Sequence, residues 1–161
     1  HAADYGVPQS RERVIIVGTL PGVPAFKPPK ATHKASSHIT AHEAIGDLIE
    51  REENEATSHI WSRANKSADQ GARRMVADRP GYTIRAECHG NIQFHYALDR
   101  RISMREAARF QSFPDDFVFH AKLRETERQI GNAVPPILAW HIAQAVQHSL
   151  DERHDTLTED L

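Results

Sequence analysis

Arg11 and Arg13, two residues apart near the start of the chain, are the first groups whose type and spacing suggest chemistry. On an extended chain alternate side chains share a face, so both guanidinium groups are expected to point the same way. Each fork stays charged and directional, which suits an anion; two surface cations at a strand edge would show the same spacing. Gln9 and Glu12 flank the pair and are expected to order this loop. A second set is Asn132-Ala133-Val134, which with Gly131 stands immediately before Pro135-Pro136. The lone thiol, Cys88, lies between Glu87 and His89 in an expected strand or turn. No helix N-terminus stands beside it to lower its pKa, so it reads as an ordinary residue rather than a nucleophile. His38 and His42 are four apart, as metal ligands on one helical face would be. Thr40 caps a helix between them and leaves His38 outside it, and no third ligand has a telling spacing, so no metal is assigned.

The elements that position these groups follow from local signals. Ser103-Met104-Arg105-Glu106 is a capping box, in which hydroxyl and carboxylate reciprocally satisfy the free backbone N–H groups of a helix start. That helix is expected to run to about Gln111, because Pro114 disfavours helical geometry at Phe113. Pro135-Pro136 opens a second helix, since proline is tolerated in a first turn. Leu138, Ile142, Ala145, Val146, Ser149 and Leu150 then repeat at helical spacing. Gly131 to Val134 is therefore expected as a loop before a helix N-terminus, where acceptors and negative charge are favoured. Thr40-Ala41-His42-Glu43 is another capping box, and a helix is expected over roughly 41–51.

Arg13-Val14-Ile15-Ile16-Val17-Gly18-Thr19-Leu20 is a continuous β-branched run and reads as a strand buried on both faces. Pro21 to Lys34, with four prolines, is a loop or linker. Gly81–Ala86 and Asn91–Tyr96 read as two short strands joined around Cys88-His89-Gly90-Asn91. Trp61 reads as a local hydrophobic anchor. Residues 151–161 carry five acids against Arg153 without an apolar face and are expected to fray.

At 161 residues, 39% of them hydrophobic, the chain could fill one domain. It starts at His1 inside a motif, which suggests that some core surface belongs to a missing part of the protein. One cysteine excludes an internal disulfide framework and fits a reducing cytoplasm. No apolar run approaches membrane-spanning length. The net charge of −2 conceals an uneven distribution: residues 43–55 carry −5 and residues 61–110 carry +5, the latter mostly arginine. The basic stretch is the polyanion-facing candidate.

Three stretches resemble one family in its own order. Ala3-Asp4-Tyr5-Gly6-Val7-Pro8-Gln9-Ser10-Arg11-Glu12-Arg13-Val14 resembles the eighth motif (Gln-x-Arg-x-Arg) of DNA (cytosine-5)-methyltransferases. The stretch from Arg101 to Asp115 resembles the ninth, and Gln129-Ile130-Gly131-Asn132-Ala133-Val134-Pro135-Pro136 the tenth. Arg79-Pro80-Gly81-Tyr82-Thr83-Ile84 resembles a proline-x-x-Thr-Ile segment of the family's small domain.

The resemblance implies a fold and a reaction. The fold is α/β: a fragment of a Rossmann-like S-adenosylmethionine-dependent methyltransferase domain plus a small mixed α/β target-recognition domain. Residues 1–29 would end the catalytic domain and 30–98 would form the target-recognition region. Residues 99–120 would brace it, 121–150 would return to the catalytic domain, and 151–161 would be the frayed tail. The reaction is methyl transfer from S-adenosylmethionine to C5 of a cytosine flipped out of duplex DNA, after a cysteine thiolate adds to C6. The Pro-Cys nucleophile motif, the Glu-Asn motif and the glycine-rich cofactor loop are absent from this chain, which is therefore expected to be inactive alone and to need an N-terminal catalytic half. Arg13 would donate to cytosine O2, and Arg11 would bind backbone phosphate or orient the missing glutamate. Asn132, Ala133 and Val134 would complete the cofactor pocket. Gln9, Arg11, Arg13, Arg73, Arg74 and Arg85 are the expected DNA-binding residues, with Gln93 and Asn91 as further base-reading candidates. Two other readings are a natural non-catalytic DNA-reading subunit and an RNA-directed relative. An exposed Leu138–Ile142–Val146 face would invite self-association.

Overall fold

A computed structural model describes residues 1–64, 73–86 and 93–159, with side chains described as far as residue 151. Four α-helices are present in this part of the chain: α1 (Ala41–Ile45), α2 (Met104–Phe110), α3 (Leu123–Asn132) and α4 (Pro136–Glu159). Two short strands, β1 (Gln9–Ser10) and β2 (Gly81–Tyr82), pair in parallel with Gln9 opposite Gly81. Short 3-10 turns cover Ala2–Tyr5, Ala35–Ser37 and Gly46–Leu48. The chain is mixed α/β, and among the described residues the sheet has only these two strands.

Both capping boxes form. The Thr40 hydroxyl accepts from the Glu43 N–H, and the Ser103 hydroxyl accepts from the Glu106 N–H, each with the reciprocal carboxylate bond. Helix α1 breaks into a 3-10 turn at Gly46, so the helical stretch is shorter than 41–51. Helix α2 is buried on nearly every side and packs on α1 and α3, around a core of Ile45, Met75, Ile84, Ile102, Phe110 and Ile130.

Four sequence expectations need correction. The 13–20 run forms no strand among the described residues, and Val14 and Ile16 are about nine-tenths exposed. A buried strand needs pairing partners on both edges, and none of the described elements supplies one. Gly81–Tyr82 pairs with Gln9–Ser10 instead of with the 93–96 segment, where Phe94 bridges Arg74 and Arg101. A helix, α3, runs through Gly131 to Asn132, so the loop before α4 shrinks to 133–135. Helix α4 continues to Glu159; no glycine or proline follows Pro136 to stop it. Its Leu138 is buried and Ile142 half-buried against Ala2, Tyr5 and Val7, while Val146 and Leu150 stay exposed, so the expected apolar face is only partly open.

Gly131 explains how α3 sits so close. A Cβ there would lie 2.4 Å from the Ala86 nitrogen and 2.4 Å from the Arg85 carbonyl carbon, both backbone atoms. Alanine would gain about 1 kcal/mol of helix propensity, but separating two backbones costs about 1–3 kcal/mol. Both clashing atoms are backbone and cannot move aside easily, so Gly131→Ala is expected to lower the urea midpoint at unchanged m-value, by up to about 2 kcal/mol of net stability.

The α2 region also buries two histidines in neutral form. The fully buried His95 Nδ1 accepts from the backbone N–H groups of Ala97 and Leu98 at 2.9 and 3.2 Å, which leaves no room for a proton on that nitrogen. Burial pushes its pKa from 6.5 to about 4, and burial also lowers that of His59, whose Nδ1 lies 3.0 Å from the Ser103 hydroxyl. The unfolded chain takes up these protons near pH 6.5, while the folded His95 resists to about pH 4. Stability is therefore complete above pH 6.5 and declines as pH falls toward 4, by roughly 3 kcal/mol for His95. Unfolding midpoints measured from pH 7.5 to 4.5 should decline across that window, and His95→Gln should flatten the slope.

Candidate substrate and cofactor face

A buried pair of amides draws the three motif stretches together. Gln9 is fully buried; its Nε2 donates to the Phe110 carbonyl at 2.9 Å and to Gln111 Oε1 at 2.8 Å, and its Oε1 accepts the Ile84 N–H at 2.8 Å. Gln111 Nε2 in turn donates to the Ile130 carbonyl at 2.6 Å and the Ala133 carbonyl at 3.2 Å. The Ser112 hydroxyl, on a residue with φ of 60°, accepts the Ile137 N–H at 3.2 Å and so joins the end of α2 to the start of α4. Sequence reasoning overlooked Gln111. Its only sequence signal was position, at the C-cap of the α2 helix. Gln9 is inaccessible to nucleic acid, which removes it from the DNA-binding set.

Arg11 and Arg13 do not behave as a matched pair. Arg11 is buried, and its guanidinium donates to the Ile84 carbonyl at 2.8 Å and the Gly131 carbonyl at 3.1 Å. Burial, with Arg13 adding like charge, lowers its pKa below the ordinary arginine value. Arg11 thus fastens β2's continuation to α3. Arg13 is exposed, with its Nη1 bonding the Glu12 carbonyl at 2.6 Å. Both line an open cavity of about 770 Å³ with Ser10, Thr83, Arg85 and Asn132. The structure therefore brings Arg13, Arg85 and Asn132, read from distant parts of the sequence, to one depression.

The cofactor segment is divided in its capacities. The Ala133 N–H closes the end of α3 on the Gln129 and Ile130 carbonyls, and its carbonyl serves Gln111. Asn132 and Val134 are exposed, so their side chains are what this segment can offer a ligand.

The basic stretch is largely engaged within the fold. Arg100 forms a bidentate pair with the fully buried Glu106 and stacks 4.2 Å from the Trp61 ring centroid. Arg101 is buried over Phe94. Arg105 donates to the Thr57, Pro114 and Phe117 carbonyls. Arg109 joins Asp47 and Asp115, and these hydrogen bonds raise its pKa and lower theirs. Arg74 donates to the His95 and Leu98 carbonyls and to Asp99. Gln93 is buried with Nε2 on the Thr83 carbonyl at 3.4 Å, and so cannot read a base edge. Arg73 and Arg85 are exposed. Cys88 and Asn91 lie outside the described residues. His38 does not share a helix face with His42; it reaches Asp4, whereas His42 meets Tyr96.

The family model for C-5 cytosine-specific DNA methylases matches residues 1–75 and 61–148. The chain belongs to the C-5 cytosine-specific DNA methylase family. It is 36% identical over 172 residues to the Type II methyltransferase M.BbvI of Brevibacillus brevis, an alignment covering 89% of this chain and 46% of that protein. The DNA (cytosine-5-)-methyltransferase M.ApeKI of Aeropyrum pernix is 40% identical over 93 residues, covering 56% of this chain and 20% of that protein. The Type II methyltransferase M.MthTI of Methanothermobacter thermautotrophicus is 34% identical over 185 residues, covering 94% and 55%. The chain thus spans about half the length of the curated relatives it matches along most of its own length. Family membership implies S-adenosylmethionine as the methyl donor. Among the described residues no helix is long and apolar enough to cross a membrane.

Proposed function

We propose that this chain is the substrate-holding and cofactor-closing portion of a DNA (cytosine-5)-methyltransferase, working in the cytoplasm on duplex DNA with a catalytic half that carries the nucleophilic cysteine. The observation that carries this reading is the cavity on which Arg13, Arg85 and Asn132 converge. Arg13 holds the flipped cytosine through O2, and its fixed charge stabilises the negative charge that builds on the ring during thiolate addition to C6. Arg11 acts at one remove: by clamping the Ile84 and Gly131 carbonyls it fixes the segment that leads from β1 to Arg13 against α3. Asn132 bounds the cofactor's side of the cavity, with the exposed Val134 two residues further on, and S-adenosylmethionine supplies the methyl group there. Arg73 and Arg85 contact the DNA backbone. The exposed 14–20 run and the outer α4 residues Val146 and Leu150 cover the catalytic half.

The test is complementation. The purified chain is mixed with the N-terminal half of a relative such as M.BbvI, and tritiated methyl transfer to mixed-sequence duplex DNA is measured. Transfer is expected only from the mixture, and unlabelled duplex should compete where tRNA does not. Absence of transfer from a mixture shown to associate would refute the proposal; competition by tRNA alone would move the substrate to RNA, against the DNA named in the relatives.

A further inference from the structure

Among the described residues, one group of three metal-ligating side chains comes together, His1, Asp4 and His38, with no two ligand atoms more than 4.8 Å apart. We propose that these residues bind a divalent transition ion of the Zn²⁺ type and clip the Ala2–Tyr5 turn to the 33–38 loop. Asp4 Oδ1 lies 2.8 Å from His38 Nε2 and 3.4 Å from His1 Nδ1. Ligand atoms around a tetrahedral zinc, with bonds of about 2.0–2.2 Å, stand about 3.3 Å apart. The three atoms therefore need to move by less than about an ångström to surround an ion.

Each ligand is held by its backbone. The Asp4 N–H bonds the His1 carbonyl at 3.1 Å, and the 3-10 geometry eclipses side chains three apart, which puts His1 and Asp4 on one face. The Asp4 carbonyl accepts the Thr32 and His33 N–H groups, both at 2.9 Å, anchoring the loop that delivers His38. The His38 side chain is only 12% exposed. With Nδ1 on the ion, His1 would carry its proton on Nε2, which lies 3.2 Å from the Ser10 hydroxyl and would donate to it; such an outer partner fixes a metal-bound imidazole. Two imidazoles and one carboxylate suit borderline ions better than Mg²⁺ or Ca²⁺. A water would complete the tetrahedral set in the fourth position.

The site is tested on the whole 161-residue chain by titration with Co²⁺, read by visible absorption, and with Zn²⁺, read by calorimetry and melting temperature. One equivalent is expected to bind, with four-coordinate Co²⁺ absorption displaced by Zn²⁺ and a melting temperature raised by several degrees. His38→Ala and Asp4→Asn should weaken binding at least tenfold, while His33→Ala and His42→Ala leave it unchanged. Asp4→Asn preserves size and hydrogen bonding, so its metal-free melting temperature should match that of the parent chain. No saturable uptake at millimolar Zn²⁺ would overturn the proposal. So would binding that survives both Asp4→Asn and His38→Ala, which would mark chelation by the terminal histidine alone.

Discussion

Replacing Arg13 with alanine is expected to lower methyl transfer by the complemented enzyme about 10²–10³-fold, the cost of losing one preorganised group that meets developing charge. The melting temperature should stay unchanged, because the Arg13 side chain is exposed and, among the described residues, bonds the neighbouring Glu12 carbonyl alone. Arg11→Ala is expected to fail in the opposite way. It leaves the Ile84 and Gly131 carbonyls without their buried donor, and each orphaned carbonyl costs about 1–3 kcal/mol. The loss should appear in the urea midpoint of the isolated chain, before any catalytic half is added. Lysine at 13 should recover only part of the rate, since an ammonium cannot reproduce the directional fork. An Arg13→Ala chain with full activity, or with a large loss of stability, would reverse the assignments of these two side chains.

Glu106→Ala is expected to destabilise the isolated chain by about 3–5 kcal/mol, the range for removing one partner of a buried ion pair. The Glu106 carboxylate is fully buried. One oxygen takes the Ser103 N–H at 2.7 Å and Arg100 Nη1 at 2.9 Å, and the other takes Arg100 Nη2 at 2.8 Å. Alanine would remove a helix cap and strand the Arg100 charge, whose side chain is 12% exposed, against the core and the Trp61 ring. Glu106→Gln keeps an oxygen for the Ser103 N–H and should lose less. In a double-mutant cycle with Arg100→Ala, the pair should couple strongly, because the second replacement removes the stranded charge. Additive losses would show that the cap alone, worth about 1 kcal/mol, carries the effect.

The features legible in the sequence were those decided within one helical turn. Thr40 with Glu43 and Ser103 with Glu106 meet three residues apart, so both boxes form where their spacing puts them. Pro136 opens α4 for the same local reason. What escaped the sequence depends on distant partners. The 14–20 run has the composition of a central strand, but its state is set by neighbouring strands that the described residues do not provide. Gln9 and Gln111 meet across 102 residues, and no spacing rule announces that contact. Helix α3 had a readable signal: Leu123, Thr126, Glu127, Ile130 and Gly131 fall at helical spacing on its inner side, but two of them are polar and the stripe looks broken. The arginines of 100–109 add to the basic excess of 61–110, and for Arg105 and Arg109 the sequence allows phosphate contact or ion pairing alike; their carbonyl and carboxylate partners are set by the fold. Side-chain charge is readable from sequence, but the direction in which it points is not.

The central claim is that the attacking sulfur is not on this chain. It is tested most directly by trapping the covalent intermediate on duplex DNA of mixed sequence with 5-fluorocytosine in place of cytosine. Fluorine at C5 cannot be removed as a proton would be, so the thiolate adduct persists after methyl transfer. The chain, its N-terminal complement and S-adenosylmethionine are incubated with this duplex, and the adduct is located by peptide mass spectrometry. The prediction is an adduct on a cysteine of the complement, at a yield unchanged by Cys88→Ala, and none from this chain alone. An adduct on Cys88, or one formed by the isolated chain and abolished by Cys88→Ala, would contradict it.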